Sequence, residues 1–149
     1  MNPDFDFGQS IASLVGKTGG LMGHVLTERF RAAGYDLTVE HWIVLAHLWR
    51  KDGRNQQELA GMAGRHKTAI TRAINWLEER DFVVRIPDKT DRRNNLIYLT
   101  HKGKNLKDVL MPCAISTQED ATRGISPEDM DHCKNVLMMI LENLKKYAC

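Results

Sequence analysis

The spacing of residues 55–80 constrains this chain most: two short amphipathic helices stand about three residues apart. Asn55 followed by Glu58 forms a capping-box-like pair that opens the first, over residues 56–63, with Leu59, Ala60 and Ala63 inward. Gly64 closes it. The second runs over residues 67–80 and buries Ile70, Ala73, Ile74 and Leu77. This is helix-turn-helix spacing. Residues 82–86 then form a β-branched run bounded by Pro87, with residues 96–100 as the natural partner strand. The loop between them carries Lys89, Arg92 and Arg93, so the chain predicts a β-hairpin with a basic tip. A lone hairpin is marginal in water and must pack on the helices.

The flanks read as helices. Over residues 6–33, Ile11, Leu14, Thr18, Leu21 and Val25 recur every three or four positions, and Gly34 supplies the stop. Gly16, Gly19 and Gly20 either weaken that helix or permit close packing. Thr38 caps a second helix over residues 39–50, in which Trp42, Leu45, Ala46 and Trp49 share a face. After the hairpin, Thr100 caps a helix over residues 101–123, and Ser126-Pro127 opens a last one. There Met130, Cys133, Leu137, Ile140, Leu144 and Tyr147 form an a/d seam of almost three heptads.

No linker or repeat interrupts residues 1–149, which read as one domain. Its 149 residues, 42% hydrophobic and 27% charged, suit a globular fold with a real core. No apolar run reaches the ~18 residues a membrane helix needs. The N-terminus carries Asp4 and Asp6 with no basic residue, unlike a secretory signal. The three cysteines have no C-x-x-C spacing, which fits reduced thiols, and a cytoplasmic location is expected. Phosphate-binding, nucleophile-elbow and metalloprotease motifs are missing, so no catalytic residue, cofactor or metal site is expected.

Charge is uneven. Residues 50–104 hold thirteen Lys/Arg against seven Asp/Glu, a net +6, while the flanks are net −4. A basic centre between acidic ends points to a polyanionic partner.

The chain resembles the MarR family of bacterial transcription regulators. The resemblance rests on residues 37–45 (Leu-Thr-Val-Glu-His-Trp-Ile-Val-Leu), on Gln57-Glu58-Leu59-Ala60, and on Thr71-Arg72 followed by residues 77–80 (Leu-Glu-Glu-Arg). Most specific are Asp91-Arg92-Arg93 and the following Leu99-Thr100 and Gly103. The resemblance implies a mainly α fold with a small β-hairpin wing. It divides the chain into a winged helix-turn-helix at 36–100 (helix-turn-helix about 55–79, wing about 82–100) and dimerisation helices at 6–33 and 101–147. Residues expected to meet double-stranded DNA are Arg65, His66, Lys67, Thr68, Ala69, Thr71, Arg72, Asn75, Arg85, Lys89, Asp91, Arg92 and Arg93. Arg93 would enter the minor groove with Asp91 orienting it, while the 67–80 helix enters the major groove.

The resemblance further implies a homodimer, through Ile11, Met130, Leu137, Ile140 and Leu144, acting as a repressor released by a small effector. Met22, Val25, His41, Trp42 and Leu45 would line the effector pocket, whose apolar and aromatic character fits a hydrophobic or phenolic molecule. His66 stands where the family usually caps the recognition helix with Asp or Ser, and Trp76 stands outward, where packing on the wing is expected. Glu40-His41 is shared with a zinc-sensing branch, but Asp108 and Met111 occupy the region of its further ligands. Cys113 and Cys133 lie on apolar stripes and read as small core residues. Two alternatives stay open: a winged-helix protein-interaction module, and a thiol-based redox-sensing regulator.

Overall fold

Side-chain caps set where most helices begin. In the computed structural model, which describes residues 6–64 and 67–148, a 3-10 turn at Phe7–Gln9 precedes α1 (Ile11–Ala32). Ser10 accepts the Ser13 N–H, so the α-helix expected from residue 6 starts five residues later. Helix α2 (Val39–Arg50) opens on a reciprocal pair. Thr38 Oγ1 accepts the His41 N–H, and His41 Nδ1 accepts the Thr38 N–H at 2.9 Å. Asn55 caps α3 (Gln56–Ala63), and Gly64 ends it at φ +58°.

After α4 (Lys67–Glu79), the two wing strands β2 (Val83–Pro87) and β3 (Asn95–Leu99) pair antiparallel, Val83 opposite Leu99. The expected two-stranded hairpin gains a third strand. β1 (Arg54–Asn55) lies on the other edge of β3, giving the order β1-β3-β2. Two residues are too few for an alternation pattern to announce.

The core sits beneath this sheet. Val44, Leu45 and Leu48 of α2, Leu59 of α3, Ile70, Ile74 and Leu77 of α4, and Ile97 of β3 are at most 1% exposed. Phe30 of α1 closes one side. Each such side chain contributes about 1.5–3 kcal/mol of burial.

The helix expected over residues 101–123 is divided into α5 (His101–Asn105) and α6 (Lys107–Ala121) at Leu106. Its anchors change there. The Leu99-Thr100-x-x-Gly103 segment is a joint: Thr100 Oγ1 accepts the Gly103 N–H, and the Thr100 N–H donates to the Phe82 carbonyl. A Cβ on Gly103 would lie 2.0 Å from that carbonyl oxygen, so only glycine fits. Trp49 Nε1 donates to the Gly103 carbonyl at 3.0 Å, fixing α5 to α2. Past Leu106, α6 packs on α1 instead, where Arg29 donates to Ser116 and Thr117 and pairs with Asp120.

Helix α7 (Pro127–Lys145) begins with Ser126 accepting the Asp129 N–H. None of its residues is buried, although Val136, Met138, Met139, Leu141 and Leu144 are all more than half exposed. Cys133 is exposed as well, which corrects its expected place in the core of the chain. No helix among the described residues is long and apolar enough to cross a membrane.

Candidate nucleic-acid interface

Helix α4 divides cleanly. Ile70, Ala73, Ile74 and Leu77 fill the core, while Lys67, Thr68, Arg72 and Asn75 stay exposed and Ala69 is half-buried. Arg65 and His66, and with them the question of the α4 cap, lie outside the described residues. The Thr71 hydroxyl is engaged within the fold. Its hydroxyl donates to the Lys67 carbonyl at 2.8 Å and accepts from Gln56 Nε2 at 2.5 Å, clamping α3 to α4.

Arg85 also has a structural task. From β2 its guanidinium pairs with Glu78 and donates to Asn75 Oδ1 at 2.5 Å, and its backbone N–H donates to Glu78 at 3.3 Å. Within the fold Arg85 is a clasp holding the wing against α4, because strand β2 passes beside the last turn of the helix. Glu78 supplies the charge that fixes it.

The wing tip is rigidly built. Asp88 Oδ1 accepts from both the N–H and the hydroxyl of Thr90 at 2.9 Å, and these bonds hold the Asp88 carboxyl below its usual pKa. Asp91 accepts the Arg93 N–H at 3.1 Å and the Asn94 amide at 3.2 Å. It therefore shapes the backbone at Arg93 rather than gripping its guanidinium. Lys89, Arg92 and Arg93 project into solvent. Among the described residues, no carboxylate lies within ion-pair distance of Lys67, Arg72, Lys89, Arg92 or Arg93. A polar groove of about 230 Å³ joins the two elements, lined by Gln56, Gln57 and Lys67 on one side and by Arg93 and Asn95 on the other.

Trp76 is half-buried, packed against Phe82 at the start of the wing and against α2. It stacks on His41 at 4.2 Å and on Phe82 at 6.5 Å, with the Arg80 guanidinium 3.8 Å from its centroid. His41 is only 6% exposed. Burial, with Arg80 adding to it, lowers its pKa to about 4 against the opposing pull of Glu40 and Asp36. The ring is thus neutral, as its Nδ1 acceptor role requires.

Among the described residues of one chain, the five expected effector residues fall in different places. Leu45 is wholly buried core, and His41 faces a separate groove with Arg72 and Trp76. Met22 and Trp42 share a groove of about 340 Å³, and Val25 borders another with Met22. A wider open groove, about 700 Å³, lies between α1 and the start of α2, where Gly16, Gly19, Gly20 and Gly23 leave room beside Leu37 and Val39. Its glycines are visible in the sequence as helix-weakening residues, but not as one wall.

Comparison with known proteins gives a single answer. The MarR family model matches residues 37–94. Transcriptional activatory protein BadR of Rhodopseudomonas palustris is 30% identical over 139 residues, 91% of this chain and 74% of that protein. A MarR-family transcriptional regulator from Rhodococcus sp. RHA1 superposes with a TM-score of 0.79 at 26% identity, covering 91% of this chain and 94% of that one. CouR from Rhodococcus jostii RHA1, solved with p-coumaroyl-CoA bound, gives 0.78 at 25% identity over the same shares.

Proposed function

Since the chain belongs to the MarR family of transcriptional regulators, we propose that it binds double-stranded DNA sequence-specifically as a homodimer. One observation carries this reading: five cations on α4 and the wing, all exposed and none neutralised by a described carboxylate, face outward from one clasped unit. Uncompensated charge at fixed spacing is what a phosphate backbone rewards. Thr68, Arg72 and Asn75 meet base edges in the major groove, Arg93 enters the minor groove, and Lys67, Lys89 and Arg92 meet phosphate.

The exposed apolar side chains of α7 and of α1, including Ile11, Leu137 and Leu144, support a second copy as their cover. A two-fold dimer then reads a pseudo-palindrome with half-sites about 10 base pairs (~34 Å) apart. The protein acts in the cytoplasm. A phenolic acid or its thioester occupies the glycine-walled groove between α1 and α2 and releases the DNA, a reading supported by that groove's size and by the ligand of CouR. Repression follows where the operator overlaps a promoter, and activation, the role in BadR's name, where the bound dimer sits clear of it.

Selecting sites from random DNA, then titrating variants at several salt concentrations, tests the reading. Arg93→Ala should weaken binding and reduce preference for A·T-rich flanks. Arg72→Ala should cost ~1–3 kcal/mol and relax one base position per half-site. Lys89→Ala should weaken all sequences alike and reduce the salt slope by roughly one for each phosphate left unneutralised. Operator binding by Arg93→Ala equal to that of the unaltered protein would refute the wing's role.

A further inference from the structure

Asn75 holds a single orientation. An arginine has only donors, so the group that Arg85 Nη2 meets at 2.5 Å must be the Asn75 carbonyl oxygen. Flipping the amide would set its NH2 against a guanidinium. The guanidinium cannot turn away either, because Glu78 takes Nη1 and also accepts the Arg85 backbone N–H. The Arg85 side chain is 19% exposed, so little water is at hand to take the place of that bond. The outward, solvent-exposed part of Asn75 is therefore its NH2.

We infer that Asn75 is a specificity-determining residue that acts only as a hydrogen-bond donor toward the major groove, its carbonyl having been withdrawn by Arg85. A free asparagine reads adenine bidentately, giving a donor to N7 and taking the N6 amine with its oxygen. One lone pair is taken and the oxygen is held toward Arg85 on β2, so the second lone pair is not aligned with the NH2 for that two-point pairing. What the NH2 can serve is an acceptor edge: guanine N7 or O6, or thymine O4. Arg85 thus sets base choice without touching DNA, from the opposite side of the residue that does. It is a positioning residue.

This inference rests on α4 being the DNA-reading helix, and the test separates the two. Sites are selected from random DNA with the unaltered protein, with Arg85→Met and with Asn75→Asp, each checked for folding by circular dichroism. Arg85→Met keeps the stem and removes the donors, which returns the carbonyl to Asn75. Preference at one base pair per half-site should then move from guanine or thymine to adenine. Asn75→Asp keeps the pairing to Arg85, so it folds even if Arg85→Met does not. It removes both outward donors and should lose the preference at that same base pair, with operator affinity falling roughly tenfold. An unchanged selected base in Asn75→Asp, or in a folded Arg85→Met, overturns the inference while leaving DNA binding intact. Failure of the unaltered protein to select any sequence overturns the DNA-reading assignment itself, and this inference with it.

Discussion

The winged-helix half and the terminal helices use apolar residues in opposite ways. Between α2 and β3, the aliphatic side chains of Val44, Leu48, Ile74 and Ile97 are sealed within one chain at 1% exposure or less. In α7, Met138 is 67% exposed and Leu141 63%, and no residue is buried. Helix α1 bridges the two regimes. Leu26 and Phe30 enter the core near its end, while Ile11, Leu14 and Val15 near its start stay open. One half seals its apolar residues within the chain; the other leaves them at the surface.

The largest expected effect comes from charging that open surface. Leu137→Asp with Leu144→Asp should abolish the dimer and melt helix in α7, lowering the far-UV signal. The three tryptophans, Trp42, Trp49 and Trp76, all lie in α2 and α4 and none in α7, so their near-UV signal reports on the winged-helix half and its contacts with α1 and α5 rather than on α7. It should survive. Loss of both signals together would erase the distinction between the halves.

Acid should act on the other half. His41 is held neutral in the fold with its pKa lowered to about 4, whereas in the unfolded chain it titrates near 6.5. Below 6.5 the unfolded state binds the extra proton, so stability falls as the pH drops from about 6.5 toward 4. The loss is at most about 3 kcal/mol. Monitoring tryptophan-detected unfolding against pH for the unaltered protein and for His41→Gln checks this. The variant should show a flatter profile through that window.

The smallest effect sharpens the boundary. Cys133 lies on the seam of α7 and is exposed within one chain, so a second copy should shield it. In a Cys149→Ser background, a thiol reagent should label Cys133 slowly in the dimer. In the Leu137→Asp, Leu144→Asp variant the labelling should be fast. Equal rates would place the seam outside the interface.

Much of the fold is legible in the sequence. Caps at Thr38, Asn55, Thr100 and Ser126 and the period of Ile70, Ala73, Ile74 and Leu77 locate the helices because those signals are local. Strand β1 is not, having two residues and no pattern of its own. The capping role of His41 is hidden because the usual partner at that position is Glu or Gln. Thr71 and Arg85 look like free polar groups until folding brings Gln56 and Glu78 beside them, across fifteen and seven residues of chain. The five pocket residues follow from likeness to a family, and helical spacing cannot say that Leu45 is wholly buried while Met22 stays half-buried beside a groove.

The central claim is that the terminal helices are complete only when two chains meet. It is tested most directly by far-UV-detected unfolding over about a hundredfold range of protein concentration. The account predicts a midpoint that rises with concentration, for a native particle of twice the 17.0 kDa chain mass by sedimentation. A midpoint independent of concentration, with a native mass of 17.0 kDa, would contradict it.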